Sequence, residues 1–374
     1  MQICICRDRV EYKKLGDIAT YINGYAFKPE QRGSEGLPII RIQDLTGNAY
    51  DLGYYDGDYP KKIELNDGDV LISWSASLGV YLWNRGKALL NQHIFKVVFD
   101  KVEIDKFYFM YAVEYNLDKM SLKTHGATMK HITKKDFDNV VIPYPDLDYQ
   151  KEVSYRLTSL KGIIEKYKEQ LDLLDELVKA RFVEMFGDPN YNPKGYKKDI
   201  IKDHIDLLSG YPFKSENYVD SGINICGGLV IMPQKIKWEE CVHWKSAIGY
   251  ENYLLNNNDI VMALDRPWIS EGFKIAKVDS KHLPALLIQR TVRIRSIDMN
   301  QDYLYYCFIC GGFNKHCNVT GSLVPHISSK DIKSFEVMLP PLELQNQFAS
   351  FVEEIDKSRL LSNHSLFLIK SITF

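Results

Sequence analysis

The sequence predicts an α+β protein built from two copies of one unit, each a mixed α/β head followed by a long helix. Three observations lead to this fold class: an internal repeat in the 374-residue chain, a helical heptad pattern after each head, and matched motifs near the start of each head. Self-similarity of this kind indicates a duplicated structural unit. We expect the two helices to run antiparallel, which places the heads at opposite ends about a pseudo-twofold axis.

The repeat is clearest immediately before each helix. At a shift of 195 positions, residues 124–153 (THGATMKHITKKDFDNVVIPYPDLDYQKEV) pair without a gap with residues 319–348 (VTGSLVPHISSKDIKSFEVMLPPLELQNQF). At a shift of 186, GYAFKPE from Gly24 pairs with GYPFKSE from Gly210. Because the shift changes, loops of different length must join matching framework pieces.

These patterns divide the chain into four parts. We expect a first head over 1–145, a central spacer helix over 146–189, a second head over 190–341 and a C-terminal spacer helix over 342–374. The first helix should stop at the Gly-Asp-Pro sequence that begins at Gly187. At 1.5 Å per residue, the 147–186 helix would be about 60 Å long, which is enough to separate two heads.

Each helix carries an apolar seam that needs a partner. A coiled-coil seam has apolar residues at alternating steps of three and four. The first seam contains Val153, Leu157, Leu160, Ile164, Tyr167, Leu171, Leu174, Val178 and Met185. The second contains Phe348, Val352, Ile355, Arg359, Ser362, Leu366, Ile369 and Thr373. The other copy is the nearest candidate partner for each seam.

The first helix also has a second apolar stripe, formed by Leu173, Leu177 and Ala180. On a helical wheel this stripe lies nearly opposite the seam. One neighbouring helix cannot cover both faces, so we expect the stripe to dock a separate subunit.

Composition excludes several classes of protein. No stretch approaches the ~20 apolar residues of a membrane helix, and the start lacks a secretory signal, so we expect a cytoplasmic protein that contacts no membrane. Seven scattered cysteines fit reduced thiols better than disulfides. Cys307-x-x-Cys310 with His316 and Cys317 superficially suggests zinc, but the equivalent helix of the first copy has no matching ligands. We therefore expect no metal.

Catalytic motifs are missing from the sequence. There is no GxxxxGK[ST] loop for ATP, and neither an adenine methyltransferase motif nor a nuclease motif is present. We expect the chain to be non-catalytic by itself and to need no cofactor of its own.

Three segments carry a resemblance to a known family: LNDGDVLISWSASLGVYLWNRGKALLNQHIFKV (65–97), DELVKARFVEMFGDP (175–189) and the Pro/Gln-containing run before each helix. Together with the repeat, they resemble the specificity (S) subunit of a type I restriction-modification system over essentially the whole chain. The second head departs from the pattern, with MALDRPWIS (262–270) and LLIQRTVRI (286–294) where the first has ISWSASLG and LLNQHIFKV. This divergence suits a domain that recognises a different sequence.

The resemblance implies two target-recognition domains separated by two antiparallel helices. It implies that each domain recognises one half of a bipartite site in double-stranded DNA. It also implies that the chain carries two methyltransferase (M) subunits and, through them, the restriction (R) subunits. S-adenosylmethionine, ATP and Mg²⁺ are then expected on the partner subunits.

An alternative function is a protein-interaction scaffold, with two binding heads on a coiled coil and no role in nucleic-acid binding. The net charge of −2 permits it, because no overall basic field is present. Clustering of the cations on one concave side would favour DNA, and an even spread would favour the scaffold.

Candidate DNA contacts come from loops and matched motifs, since loops on a fixed scaffold commonly carry recognition residues. They are Lys28, Ser75, Lys123, His125, Thr128, Lys130, Lys214, Arg266, Lys315 and Ser322. Lys28 and Lys214 are either phosphate contacts or solvated lysines, and Arg266 is the preferred base or phosphate contact of the second head.

Each of these assignments has a structural rival. The Thr133-x-x-Asp136 and Ser328-x-x-Asp331 sequences are capping boxes, so the alternative role of His131 and His326 is only to precede a helix start. Asn91, Gln92 and His93 are polar enough to contact bases. Their alignment with Gln289 favours a structural role inside a strand instead.

Overall fold

The computed structural model describes residues 10–47, 51–123, 133–317 and 326–373. They form two compact units whose boundary lies inside one long helix, between Ile163 and Ile164. Each unit contains one head.

The first head contains two four-stranded sheets and a short ribbon. Its strands are β1 (Glu11–Lys14), β2 (Thr20–Asn23), β3 (Leu37–Ile40), β4 (Gly53–Tyr55), β5 (Glu64–Leu65), β6 (Val70–Ser73), β7 (Gly79–Leu82), β8 (Ala88–Leu90), β9 (Ile94–Val98) and β10 (Val141–Tyr144). Its helices are α1 (Leu15–Ile18), α2 (Ile42–Thr46), α3 (Lys106–Lys123) and α4 (Lys134–Asp138). The sheet orders are β2-β9-β6-β7 and β4-β3-β8-β5, with β3 and β8 parallel, and β1 pairs with β10.

Two cores hold these sheets. Phe95 of the β2-β9-β6-β7 sheet and Phe109 and Val113 of α3 belong to one buried cluster. Ile39 of β3 and Leu89 of β8 belong to a second cluster, under the other sheet. Buried apolar side chains of this size each contribute about 1.5–3 kcal/mol by leaving water, so the two cores fix the framework from which the loops project.

The second head repeats this architecture with additional short strands. Its strands are β11 (Lys198–Ile200), β12 (Ile205–Ser209), β13 (Ile223–Cys226), β14 (Ile231–Met232), β15 (Lys235–Ile236), β16 (Val242–Trp244), β17 (Ile260–Ala263), β18 (Trp268–Ile269), β19 (Gly272–Phe273), β20 (Ile275–Lys277), β21 (Ala285–Leu287), β22 (Thr291–Ser296) and β23 (Glu336–Met338). Its short helices are α6 (Gln301–Cys310), α7 (Phe313–His316) and α8 (Ser329–Lys333). The helix α5 (Leu147–Phe186) precedes this head in the chain, and α9 (Leu342–Thr373) follows it.

The main sheets of the two heads correspond, except that β5 of the first head has no counterpart in the three-stranded sheet of the second. The order β12-β22-β17-β20 corresponds to β2-β9-β6-β7, and β16-β13-β21 corresponds to β4-β3-β8. β13 and β21 are parallel, as β3 and β8 are. β11 pairs with β23 as β1 pairs with β10. The sequence repeat is therefore a structural repeat.

The LNDGDV segment forms the turn that leads into β6. The N–H of Asn66 donates to Oδ2 of Asp69 at 2.8 Å, and Gly68 has a φ of +89°. In the second head the N–H of Asn256 donates to Asp259 at 2.6 Å. The motif thus caps a tight turn before a buried strand, and its glycine fits a left-handed backbone.

A buried glutamine fastens each long helix to its head. Oε1 of Gln150 accepts from the backbone N–H of Asp105 at 2.9 Å, and its Nε2 donates to the carbonyl of Pro145 at 2.8 Å. Gln345 makes the same two bonds with the corresponding backbone groups of the second head, both at 2.9 Å. Each helix therefore starts from an equivalent attachment.

Within the second unit, α5 and α9 run antiparallel. The ring of Phe348 in α9 lies 5.5 Å from that of Phe182 in α5. Further along α9, Arg359 forms an ion pair with Asp175, which comes earlier in α5. Arg359 also donates to Asp356 at 2.6 Å. Asp356 also lies 3.4 Å from Lys277, and Asp175 accepts from Gln234 at 3.1 Å, so the guanidinium is part of a polar network beside the apolar contact.

The predicted fold class is confirmed: mixed helix and sheet, two repeated heads, and a 40-residue helix between them in the chain. The seam positions Val178, Phe348 and Val352 are buried. The predicted capping boxes also form, with Thr133 accepting from the N–H of Asp136 and Ser328 from that of Asp331. The four-part domain division stays a prediction, since the compact units divide within the predicted spacer.

Candidate nucleic-acid interface

The first head contains an open cleft of about 530 Å³. Three segments line it: the residues around α2, the loop after β6, and the turn between β8 and β9. Its polar side chains include Arg32, Gln43, Ser75, Ser77, Asn91 and His93. The short helix α2, the loop and the turn are supported by the two sheets, and Arg32, which precedes β3, also lines the cleft. Such segments on a rigid scaffold commonly carry recognition residues.

Two side chains of the cleft have unsatisfied hydrogen-bonding atoms. Asn91 is 7% exposed, and its buried Oδ1 has no hydrogen-bond partner among the described residues. The same is true of the buried Nδ1 of His93, whose ring packs edge-on against Trp74 at 5.0 Å. An unpaired buried polar atom costs about 1–3 kcal/mol, so a ligand that supplied the missing partner would gain from it.

The expectation that Gln92 lies inside a strand is wrong. β8 ends at Leu90 and β9 begins at Ile94, so residues 91–93 form the turn between them. The alignment with Gln289 is correct, because Gln289 lies in the equivalent turn between β21 and β22. The polar side chains of this turn therefore line the cleft, and strand pairing does not explain them.

The GYxF motif supports this turn in both heads. In the first head the N–H of Tyr25 donates to the carbonyl of Leu90 at 2.9 Å, and the N–H of Gln92 donates to the carbonyl of Tyr25 at 3.0 Å. In the second head Tyr211 exchanges the same two bonds with Leu287 and Gln289, at 3.0 and 2.8 Å. Both motifs thus hold the turn through backbone atoms.

The glycine of the motif is required by close packing. A Cβ added to Gly24 would lie 2.0 Å from the carbonyl oxygen of Asn91, and one added to Gly210 would lie 2.0 Å from that of Ile288. No side chain fits at that distance. The glycine is therefore required in both heads because the motif packs closely against the turn.

The loop after β6 in the first head and the loop after β17 in the second contact the turns of their heads in the same way. The N–H of Trp74 donates to the carbonyl of His93 at 3.3 Å, and the N–H of Leu264 donates to that of Arg290 at 2.9 Å. The backbones at these points share unusual conformations, which are positive φ at Ala76 (59°), His93 (72°), Arg266 (46°) and Arg290 (64°). Non-glycine residues rarely adopt such angles, and they concentrate at functional sites.

The second head places charged side chains on this shared framework. Asp265 precedes Arg266 in the loop after β17, and Arg290 follows Gln289 in the turn. Oδ2 of Asp265 accepts from Nη1 of Arg290 at 2.9 Å, and its Oδ1 accepts from Nδ1 of His326 at 2.7 Å. The equivalent positions of the first head carry Ser75, Ala76 and His93, so the frameworks match while the side chains differ.

A buried lysine lies beside this charged cluster. Lys274 is 7% exposed and donates from Nζ to the carbonyl of Gly228. Burial lowers the pKa of Lys274, and the positive charge of Arg266 lowers it further. The backbone N–H of Lys274 also donates to the carbonyl of Pro267 at 2.7 Å, which places Lys274 beside the loop that carries Arg266.

The predicted DNA-contact residues fall into three groups. Ser75 lines the cleft of the first head. Lys28, Lys214, Arg266 and Lys315 are exposed, and Lys214 lies 3.9 Å from Glu216. The side chain of Lys123, at the end of α3, and the residues His125, Thr128, Lys130 and Ser322 lie outside the described residues.

Sequence reasoning missed Asp265, Arg290 and His326 as members of one cluster. Arg290 could have been found by pairing LLNQHIFKV with LLIQRTVRI, which sets it against His93. The meeting of the loop after β17 with His326 at Asp265 could not be predicted, because that contact is tertiary.

The predicted docking stripe is exposed. Leu173 and Leu177 are 57% and 47% exposed, and Ala180 is exposed as well. On the opposite face of the same turns, Val178 is fully buried and Leu174 packs against the core of the second unit. The helix therefore has one apolar face in use and one open to solvent.

The described residues contain neither a candidate metal site nor a candidate membrane-spanning helix. Within 10–47, 51–123, 133–317 and 326–373, no group of three His, Cys, Asp or Glu side chains has the geometry to hold a metal ion. Burial raises the pKa of Cys310 and Cys317 to about 12, which keeps these thiols protonated. In the same part of the chain, no helix combines the length and apolar character needed to cross a bilayer.

A family model described as type I restriction modification DNA specificity domain matches residues 7–174 and 197–369, one match for each repeat. The chain belongs to this family of specificity subunits. The two matches cover most of each head and most of each long helix.

Curated relatives of this specificity subunit agree. The type I restriction enzyme MjaVIII specificity subunit of Methanocaldococcus jannaschii is 26% identical over 92% of this chain and 86% of that protein. The putative MjaX specificity subunit of the same organism is 31% identical over the same shares. A solved type I S subunit from M. genitalium covers 99% of this chain and 96% of that chain, with a TM-score of 0.56 and 13% identity, so that likeness concerns the fold alone.

Proposed function

We propose that this specificity subunit recognises a bipartite site in double-stranded DNA, one half with each head, and catalyses no reaction itself. The observation that carries the proposal is the shared framework of GYxF motif, turn and loop, on which the two heads place different side chains. A fixed framework with variable polar residues is what two recognition sites for different sequences require.

The chemistry of the two sites supports this proposal. In the major groove each base pair presents a distinct pattern of donors and acceptors, and carboxamide, hydroxyl and guanidinium groups are the side chains that match it. The cleft of the first head offers Ser75 and Asn91, and the second head offers Arg266 and Arg290. Phosphate contacts from exposed lysines such as Lys28 and Lys214 would position the heads without selecting a sequence.

We further propose that the exposed stripe of Leu173, Leu177 and Ala180 docks a methyltransferase subunit, of which the complex holds two. The restriction subunits would attach through the methyltransferase subunits, which would supply S-adenosylmethionine binding, while ATP and Mg²⁺ belong to the partners as well. Exposed leucines at adjacent turns of a helix are the kind of apolar surface that protein partners bury.

The test is an exchange of residues 1–145 for the first head of another family member, followed by methylation mapping of DNA from cells that express the full complex. We expect a two-part motif in which the exchange alters one half and leaves the other unchanged. Changes in both halves would indicate one merged binding surface. A wild-type complex that methylates no defined motif would favour the alternative function, a scaffold without a nucleic-acid role.

A further inference from the structure

One side chain in the second head is both held and exposed. The guanidinium of Arg290 is tied to Asp265 by the 2.9 Å bond from Nη1, yet 75% of its side chain is accessible. Asp265 is only 28% exposed and binds His326 with its other oxygen. Among the described residues, no second acceptor engages the guanidinium of Arg290.

The neighbouring charges are arranged differently. Each oxygen of Asp265 already accepts one hydrogen bond, from Arg290 and from His326, so this carboxylate is tied to two protein side chains. The exposed guanidinium of Arg266 has no hydrogen-bond partner in the described ranges, which leaves it free to move. Of the three charged groups, Arg290 alone combines a fixed orientation with free donors.

The backbone at Arg290 has the left-handed conformation of the turn. Its φ is 64°, and His93 at the equivalent position of the first head has a φ of 72°. Residues other than glycine rarely adopt such angles, and those that do concentrate at functional sites. The two heads therefore place different side chains on the same backbone.

We propose that Arg290 recognises a guanine in the half-site bound by the second head, that Asp265 is its positioning residue, and that Arg266 contacts the DNA backbone. The proposal rests on the proposed function. A guanidinium held in place presents two parallel N–H donors, which match O6 and N7 of guanine in the major groove. A free arginine beside it suits a phosphate, which accepts from many directions.

The first head cannot make this contact from the same framework. Its residues at the equivalent positions are Ser75, Ala76 and His93, so no guanidinium replaces that of Arg290. The guanine contact therefore belongs to one half-site only, the half that stays unchanged when residues 1–145 are exchanged.

The experiment measures binding of the full complex to its mapped site, with each guanine of that half replaced in turn by 7-deazaguanine, which lacks N7. We expect one replacement to weaken wild-type binding by about 10-fold or more. The Arg290→Gly variant, which keeps the left-handed backbone, should bind natural and modified sites equally. Arg290→Lys should behave likewise, because it keeps the charge but loses the two-donor fork.

Matched variants separate base recognition from simple charge. Arg266→Ala should weaken binding to all sequences alike and reduce the salt dependence by about one phosphate contact. Lys281→Ala, which removes an exposed cation at the other end of β21, should change neither. Asp265→Ala should lower the discrimination against 7-deazaguanine more than it lowers affinity for non-specific DNA.

The outcomes distinguish this inference from the proposed function. If the wild-type complex has a two-part motif but no guanine in that half is sensitive, or if Arg290→Gly retains the sensitivity, the assignment of Arg290 is wrong and the function stands. If no two-part motif exists, the proposed function itself fails.

Discussion

Replacing the motif glycines should disturb one recognition site at a time. Gly24 and Gly210 pack against the carbonyl oxygens of Asn91 and Ile288, which begin the two recognition turns. Neither glycine has a positive φ, so an alanine at either position is limited by space and not by backbone conformation. The added methyl group therefore acts directly on the turn.

The structure gives the size of the effect. The new Cβ would lie 2.0 Å from a carbonyl oxygen, whereas ordinary contacts begin at 3.4 Å, so the motif and turn must separate by about 1.4 Å. That movement is enough to break the 2.8 Å bond from the N–H of Gln289 to Tyr211. Overpacking of this kind costs about 1–3 kcal/mol. For a unit of this size each kcal/mol lowers Tm by about 2–4 °C.

The assay combines thermal melts with methylation mapping of the full complex. Gly210→Ala should lower Tm and relax the half-site of the second head, and Gly24→Ala should do the same for the first. Gly162→Ala is the control, because a Cβ there meets nothing within 4 Å and alanine favours helix by about 1 kcal/mol. Motifs unchanged by Gly24→Ala and Gly210→Ala despite the expected loss of Tm would refute the link between glycine and turn.

Three further predictions concern the helices and caps. The double change Leu173→Glu and Leu177→Glu should leave Tm near the wild-type value, since both side chains are exposed, but abolish capture of the methyltransferase subunit in a pull-down; full capture would exclude this face as the docking surface. Arg359→Ala should lower the free energy of unfolding by about 1–3 kcal/mol because Asp175 and Asp356 lose their shared partner. In denaturant melts, the Asp175→Ala/Arg359→Ala double variant should lose less stability than the sum of the losses in the two single variants. Strict additivity would contradict the pairing. Ser328→Ala should cost about 1 kcal/mol by removing the cap of α8. Burial opposes the ionisation of Asp331, but hydrogen bonds from Ser328 outweigh it and lower the pKa of this carboxyl in the folded protein. The stabilisation is therefore present above the pKa of Asp331 in the unfolded chain and is lost as pH falls through its pKa in the folded protein. If Ser328→Ala leaves the loss of Tm at acidic pH unchanged, this cap is not its cause.

The fold could be predicted from sequence because its signals are local and repeated. The apolar seam, the capping boxes at Thr133 and Ser328, and the ungapped pairing of residues 124–153 with 319–348 each follow from spacing alone. The ion pair of Arg359 could not, since its place in the seam looked like a weak position until Asp175 was found opposite.

The candidate sites were less predictable, for a physical reason. In the GYxFKxE motif the sequence points to the lysine, whereas the glycine and the backbone hold the turn. The turn resembles a strand in sequence because LLNQHIFKV is apolar on both sides of its polar centre. Which side chains a turn brings together, as at Asp265, depends on tertiary packing that periodicity does not record.

We propose that each head recognises its half-site through the turn that its GYxF motif supports. The most direct test is to replace residues 91–93 and, separately, residues 288–290 with the turns of another family member, and to map methylation by each full complex. We expect the first replacement to alter one half of the motif only and the second to alter the other half only. If either replacement changes both halves or neither, while the complex remains assembled and active, the turns do not determine specificity.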